Sequence, residues 1–555
     1  MTGAALPTDA ERAPLLSKSR TIAPANYDRW RVPPAALAIH LCIGMAYGFS
    51  VFWLPLSRAV GIEAPLACEP GQSFFQSLVQ THCDWKISQL GWMYTLFFVF
   101  LGSSAAAWGG WLEREGPRKA GVVAAACWCG GLLVSAFGIH LHQLWLLWLG
   151  SGVLGGIGLG LGYISPVSTL IKWFPDRRGM ATGMAIMGFG GGAMIGAPLA
   201  DRLIRTFATQ GSVGVWESFV VLAAIYFVFM LGGAFSYRIP PVGWTPGSPT
   251  ATTSATRMIT TRHVHVDRAW RTPQFWLLWS VLCLNVSAGI GVIGMASPML
   301  QEIFGGRLIG LPDLPLSALD TAQAAQVAAI AAGFTGLLSL FNIGGRLAWS
   351  SASDRFGRKT TYTVFFVLGL ALYAAVPSTG HAGNIALFVL CCGVILSMYG
   401  GGFATVPAYL ADLFGTQMVG AIHGRLLTAW STAGIVGPVI VNYIREFQID
   451  RGISPARAYD TTLYVLAGLL LIGLICNGLV RPVAERHFMS DEQLRRERER
   501  AHEAGVVQPV PSSGPDAAAS SRRSNGILFL AWSAVGLPLA WGVWVTLEKA
   551  AILLR

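Results

Sequence analysis

Arg346 is the first residue in this chain on which chemistry can be argued. It falls in an apolar stretch near residues 326–350, and none of the 28 Asp and Glu residues lies well inside any such stretch. An ionised side chain at that depth in hydrocarbon costs at least about 2.5 kcal/mol on insertion scales, so it is normally paired or functional. With no embedded carboxylate to pair it, the guanidinium is suited to a carboxylate from outside, which its planar fork holds through two parallel hydrogen bonds. Asn342, one helical turn earlier, shares its face and is placed to orient the guanidinium or the ligand. The competing reading is a side chain that snorkels toward the helix end, because Asp354 lies only about two turns further on.

Small-ligand sites are mainly apolar with a few orienting groups, and Tyr47, His40, Tyr163, Asn285 and Trp430 fall inside other apolar stretches. They are expected to complete a substrate-binding pocket around Arg346, although each is also an ordinary packing residue in a membrane bundle. His40 is the remaining titratable candidate, and a histidine satisfied by a helix carbonyl is its plainer reading. Catalysis has no candidate, because no nucleophile stands with a base partner and no metal constellation occurs. Gly150, Gly152 and Gly155 spell G-x-G-x-x-G inside an apolar helix with no preceding strand, so the dinucleotide reading fails and close helix packing remains. Cys127 and Cys129 lack a second ligand pair. No enzyme activity, cofactor or metal is expected.

These side chains must be held by elements suited to lipid. Of 555 residues, 53% are hydrophobic and 12% charged, with a mean hydropathy of +0.53, which is more apolar surface than a soluble core buries. Apolar stretches of about 20 residues, each able to cross about 30 Å of hydrocarbon as a helix, recur near 34–56, 88–108, 119–138, 143–170, 180–200, 216–236, 273–298, 326–350, 360–378, 384–407, 422–444 and 460–480. A further one covers 526–547. The runs are continuous, whereas a membrane barrel alternates apolar and polar residues. The expected class is an all-α membrane protein embedded in a lipid bilayer.

Basic residues accumulate in loops that stay cytoplasmic. With the N-terminus inside, 28 of the 39 Lys and Arg fall in cytoplasmic segments and 10 outside. The net charge of +11 therefore reports topology, and no nucleic-acid partner is read from it. Residues 1–33 read as a cytoplasmic tail without an apolar signal, so the first span directs insertion; Glu11, Leu15 and Leu16 match an acidic-dileucine sorting pattern that is common by chance. Residues 237–272, rich in Pro, Ser and Thr, read as a flexible cytoplasmic linker between six-helix halves at 34–236 and 273–480. Residues 481–525 read as a tether, first a mixed-charge helix and then a Pro/Ser/Ala stretch. Arg522 and Arg523 orient the extra helix 526–547 outward, which places the C-terminus outside. Cys68 and Cys83 occupy the long loop after the first span, on the oxidising side, which permits a disulfide.

An internal repeat supports the two halves. GGWLEREGPRK at 109–119 follows the second span and SSASDRFGRK at 350–359 follows the eighth. Gly109, Glu113, Arg114, Gly116, Arg118 and Lys119 match the G-x-x-x-D-R-x-G-R-R signature of the major facilitator superfamily, with Glu for the usual Asp. Asp354, Arg355, Gly357, Arg358 and Lys359 form the second copy. The resemblance implies a major facilitator fold of two six-helix bundles, here with a thirteenth helix, and substrate bound between the halves. Glu113, Arg114, Arg118, Asp354, Arg355 and Arg358 are expected to form a cytoplasmic gate.

Within that superfamily, WFPDRRGMATG, NIGGRLAWSSASDRFGRK and GGGFATVPAYLADLFG resemble the oxalate/formate antiporter family and its monocarboxylate-transporting relatives. What this implies is alternating access for a small carboxylate carried by an arginine on the eighth helix, matched by Arg346, in a plasma membrane such as the bacterial inner membrane. Two departures refine it. Proton-linked relatives carry an aspartate where Asn342 stands, and asparagine cannot titrate, so anion exchange is favoured over proton symport by that route. The oxalate-exchanging member carries a lysine where Trp430 stands, so one cation remains for one negative charge, and formate, lactate or pyruvate is favoured over oxalate. Oxalate/formate exchange, proton-coupled symport and a non-transporting anion sensor stay as alternatives. The extra helix also resembles a single-helix subunit that accompanies some members. The expected unit is a monomer.

Overall fold

The computed structural model of the protein describes residues 13–24, 27–62, 66, 68, 74–85, 87–241, 244, 259–503 and 517–550. Glu11 of the sorting pattern, Arg555, residues 245–258 of the linker and 504–516 of the tether lie outside the described residues. Among the described residues the regular structure is helical, with isolated β-bridges and no strand.

The long helices are α1 (Val32–Ile43, continued by a 3₁₀ stretch Gly44–Phe52), α2 (Ile87–Glu115), α3 (Pro117–His140), α4 (Leu144–Trp173), α5 (Arg178–Phe207) and α6 (Val215–Ser236). The second set is α7 (Pro273–Phe304), α8 (Thr321–Phe356), α9 (Arg358–His381), α10 (Ile385–Phe414), α11 (Val419–Asp450) and α12 (Ala458–Leu479), followed by α13 (Ala517–Ala550). Among the described residues twelve helices, the last of them Gly526–Glu548 within α13, are long and apolar enough to cross a membrane. α8 adds 36 residues between α7 and α9, opened by a capping box in which Asp320 and Gln323 satisfy each other's backbone amides.

Ion pairs sort the helix ends onto two faces. Arg29–Asp176, Lys172–Glu113, Arg178–Asp412 and Arg425–Asp267 gather on one, which we call the basic face. Arg445–Glu302 and His381–Asp460 lie on the other. The repeated turns fold alike on the basic face. Gly116 and Gly357 precede α3 and α9 with φ of 93° and 84°, a left-handed conformation that glycine adopts without strain, which explains the glycine in both copies.

Each bundle packs on itself, and the halves meet along two seams: α2 against α11, and α5 against α8 and α10. Small residues set the first seam, since a Cβ on Gly109 would sit 2.8 Å from Ala421 Cα and one on Gly424 would collide with the Ala105 carbonyl. Such residues let backbones approach and replace hydrophobic driving force with packing. α13 leans across the second seam. It packs on α1, α5 and α8, with Leu539 against Gly191 and Thr546 against Gly336, while Phe529, Leu537 and Trp544 point outward.

On the face opposite the basic one, Cys68 and Cys83 are joined by a disulfide. Beside it the Asp84 carboxylate accepts from the Val60 and Leu66 amides, each at 2.8 Å. The linker differs from the flexible segment expected. Its last part is fixed because the Thr260 and Val264 amides donate to the Asp412 and Phe414 carbonyls at 2.9 Å, and Met489 donates to His263. Backbone groups at the end of α10 that a helix leaves unpaired thus find partners in the linker.

Candidate functional site

α8 carries Arg346 into the middle of the second seam. A Cβ on Gly190 of α5 would lie 2.8 Å from Ile343 and 3.5 Å from Arg346 Nε, so the glycine run of α5 is what lets the two helices close over the guanidinium. Arg346 is wholly buried. Its Nε donates to Asn342 Oδ1 at 2.8 Å and its Nη1 to the Ile186 carbonyl of α5 at 3.2 Å. Among the described residues Nη2 has no hydrogen-bond partner and no carboxylate pairs with it. The guanidinium carbon sits 5.7 Å from the Phe189 ring centroid and 5.5 Å from that of Phe403, within cation–π range. The head therefore faces the seam and does not snorkel to Asp354.

Aromatic side chains from both halves complete the cage. Trp430 of α11 packs on Phe403 at 4.6 Å, Tyr163 at 5.3 Å and Phe189 at 5.5 Å. Tyr47 packs on Phe189 at 4.8 Å and shares a hydrogen bond with Tyr399 across the halves at 3.1 Å. Trp430 Nε1 and the Tyr163 hydroxyl are buried without hydrogen-bond partners among the described residues. A charged N–H, an indole N–H and a phenol are thus left without a hydrogen-bond partner among the described residues, on side chains linked through the Phe189 and Phe403 rings. Buried polar groups are usually paired, so these donors are available to an acceptor.

Five of the seven expected residues, Arg346, Asn342, Tyr47, Tyr163 and Trp430, come together. His40 stands one layer back. Its ring nitrogens face the Ala185 carbonyl of α5 and the Tyr163 carbonyl of α4, so neither is left for a ligand. Asn285 is not brought to the guanidinium. It lines a small cavity inside the second bundle with Tyr373 and Leu470, and its Oδ1 abuts Gly402. Phe189, Phe403 and Tyr399 were not singled out by sequence: a Phe in an apolar run carries no signal that separates site from packing, and nothing set Tyr399 apart from the other tyrosines in spans.

The expected gate is only partly assembled, and its logic is reciprocal capping. Neither α5 nor α11 has a side-chain cap of its own at its N-terminal residue. Asp354, at the end of α8, accepts from the Gly179 and Met180 amides that open α5, at 2.8 and 2.9 Å. Glu113, at the end of α2, accepts from the Gly420 amide that opens α11, at 3.1 Å. Each half thus supplies an acid to the other half's helix N-terminus, where the partial positive charge favours it. Arg358 holds Asp354 at 2.6 Å and Asp412 at 3.2 Å, and Arg178 crosses the seam to Asp412 at 2.9 Å. Lys172 holds Glu113.

Arg118 differs from its counterpart Arg358. It donates to the Leu15, Arg20 and Phe235 carbonyls, because the N-terminal tail fills the space that Asp412 occupies in the second half. Lys18 docks beside it on the Glu113 carbonyl, where burial, with Lys172 nearby, pushes its ammonium down to about 8. Arg114 and Arg355 are exposed and form no salt bridge among the described residues. Asp354→Asn should weaken both the cap and the Arg358 pair, a loss of about 1–2 kcal/mol. If Asp354 serves closure, the saturated transport rate falls roughly five- to thirtyfold, as that energy implies, while half-saturation moves much less. A change confined to half-saturation would show that Asp354 serves binding instead.

The Major Facilitator Superfamily profile matches residues 39–438. The oxalate:formate antiporter of Oxalobacter formigenes is 27% identical over 344 residues, covering 62% of this chain and 73% of the antiporter. Apicoplast pyruvate carrier 1 of Toxoplasma gondii is 23% identical over 539 residues, covering 85% and 94%. A crystal structure of the E. coli fucose:proton symporter, 13% identical, aligns with a TM-score of 0.54 over 82% of this chain and all of that one, a likeness of fold. With a multi-helix fold in two packed halves and a profile match across most of both, the chain belongs to the Major Facilitator Superfamily of membrane transporters.

Proposed function

We propose that the protein exchanges small monocarboxylates, such as formate, lactate or pyruvate, by alternating access across a plasma membrane, with the basic face and N-terminus in the cytoplasm. The observation that carries this is Arg346, a buried guanidinium with Nη2 unpaired among the described residues and the orphaned Trp430 and Tyr163 donors around the same rings. A carboxylate supplies the missing charge and accepts from all three, while the Phe189 and Phe403 faces suit a short apolar tail. The single guanidinium matches a single negative charge. Asn342, held on Arg346 Nε, orients the fork and takes no proton, which supports exchange. The oxalate:formate antiporter and the pyruvate carrier among the relatives support the substrate class.

The basic face is closed here by the two reciprocal caps, and Arg346 Nη1 itself bridges to α5. In the cycle that follows, anion reaches Arg346 from the opposite face, and release to the cytoplasm requires the α5–α8 and α2–α11 seams to part at their basic ends. Counterflow of labelled formate, lactate and pyruvate in proteoliposomes tests the reading. Saturable uptake driven only by internal anion is expected; binding without counterflow would identify a sensor.

The topology is tested separately. Arg555→Cys should react with an impermeant thiol reagent added outside intact cells, because α13 carries the chain outward. Labelling only after permeabilisation would return the C-terminus to the cytoplasm.

A further inference from the structure

His423 plays no part in the reading above. It lies in the opening stretch of α11, is 1% exposed, and neither ring nitrogen has a hydrogen-bond partner among the described residues. It is carried into the tightest part of the α2–α11 seam. Its neighbour Gly424 abuts the Ala105 carbonyl, and Gly420, one turn earlier, donates to Glu113. Its ring stands 5.9 Å from the Tyr163 ring, whose other side meets His40 at 5.3 Å. The imidazole therefore sits between the Arg346 cage and the basic-face cap, where α11 of one half packs on α2 and α4 of the other.

We propose that His423 is a proton-binding site set by closure of this seam, neutral while α2 and α11 are in contact and protonated once they separate. The inference goes beyond anion transport and does not depend on which anion is carried.

The surroundings decide the sign. At this end the packed elements carry Glu113, Arg114 and Glu115 on α2, Tyr163 and Lys172 on α4, Tyr409 and Asp412 on α10, His40 on α1, and Asp267 with Arg425 where α11 begins; Arg114 is exposed and Glu115 is paired with Lys119. The carboxylates are engaged elsewhere: Glu113 with Lys172 and the Gly420 amide, Asp412 with Arg178 and Arg358, and Asp267 with Arg425. An imidazolium here would have two N–H donors without acceptors among the described residues and no counter-charge, at a position buried from bulk solvent. In the open state the ring is hydrated and binds a proton near the ordinary histidine value of about 6.5. A proton thus binds the open state and is expelled on closing, so acid on the basic side biases the protein toward its basic-face-open state.

The test reads conformation and needs no substrate. Spin labels at Arg114→Cys and Arg355→Cys, on exposed ends of opposite halves, report their separation in nanodiscs, with Cys127 and Cys476 replaced by serine. Between pH 8 and 5 the longer-distance population should rise, and below about pH 6.5 the closed-to-open ratio should fall by up to roughly tenfold per pH unit. His423→Gln and the volume-matched His423→Phe should each keep the pH 8 distance down to pH 5, while His40→Gln leaves the response in place. A distance that ignores pH in the parent overturns the proposal. So does a response that survives both His423 substitutions, or one that His40→Gln removes. None of these outcomes bears on anion counterflow, so the transport reading stands or falls by its own assay.

Discussion

Arg346→Gln should lower counterflow of labelled monocarboxylate by at least about 100-fold while the protein still inserts and purifies as a monodisperse species. A buried charge pair broken by removing one partner loses about 3–5 kcal/mol, which is a factor of roughly 10² to several times 10³. Glutamine retains one donor to Ile186 or Asn342 but cannot supply charge. Arg346→Lys should be milder, about tenfold, because the ammonium keeps the charge and loses the fork. The pair of variants separates charge from geometry. Near-normal counterflow by folded Arg346→Gln protein would remove Arg346 from the site and return it to helix packing between Asn342 and the Ile186 carbonyl.

Arg346 was legible in the sequence for the same reason that the prediction is large. A charge inside an apolar run stands out against its neighbours, and Asn342 follows from the helical period. Trp430, Tyr47 and Tyr163 could be named as polar-edged aromatics in spans, but nothing in the sequence said that they meet. Phe189 and Phe403 were silent, although they sandwich the guanidinium, because their glycine-rich helices place rings by backbone approach rather than by pattern. Asn285 shows the opposite failure. A polar residue in a span stood out, yet it faces the interior of its own bundle beside Gly402.

The gate divides the same way. Glu113 and Asp354 were legible through the repeated turn, and the structure adds what each acid does, which is to cap a helix of the other half. Arg178 and Asp412 lie outside the repeated turn, where no shared spacing flagged them, although both are charges at a span boundary. Arg118 was expected beside them by symmetry with Arg358. It is diverted because one half has an N-terminal tail to bind and the other does not, and a repeat in sequence cannot register that difference.

Trp430 offers the second large effect, a change of substrate charge. The indole is fully buried among Phe98, Tyr163, Phe189 and Phe403, and two of those rings, Phe189 and Phe403, also flank Arg346. Trp430→Lys places an ammonium across from the guanidinium. Two cations facing each other in a dry cage repel and lack counter-charges, so the variant without ligand should be less stable than the parent, by about 3 kcal/mol if the lysine stays charged. A dicarboxylate as short as oxalate neutralises both at once. Oxalate should therefore raise the unfolding temperature of Trp430→Lys by several degrees and leave the parent unchanged, as mass action requires for a ligand that binds only the variant. Oxalate counterflow should appear as formate counterflow falls, with Trp430→Gln, uncharged and also smaller than tryptophan, gaining neither. The cage geometry would be wrong if oxalate stabilised parent and variant alike, or if Trp430→Gln gained oxalate counterflow as fully as Trp430→Lys, since room and not charge would then set the substrate.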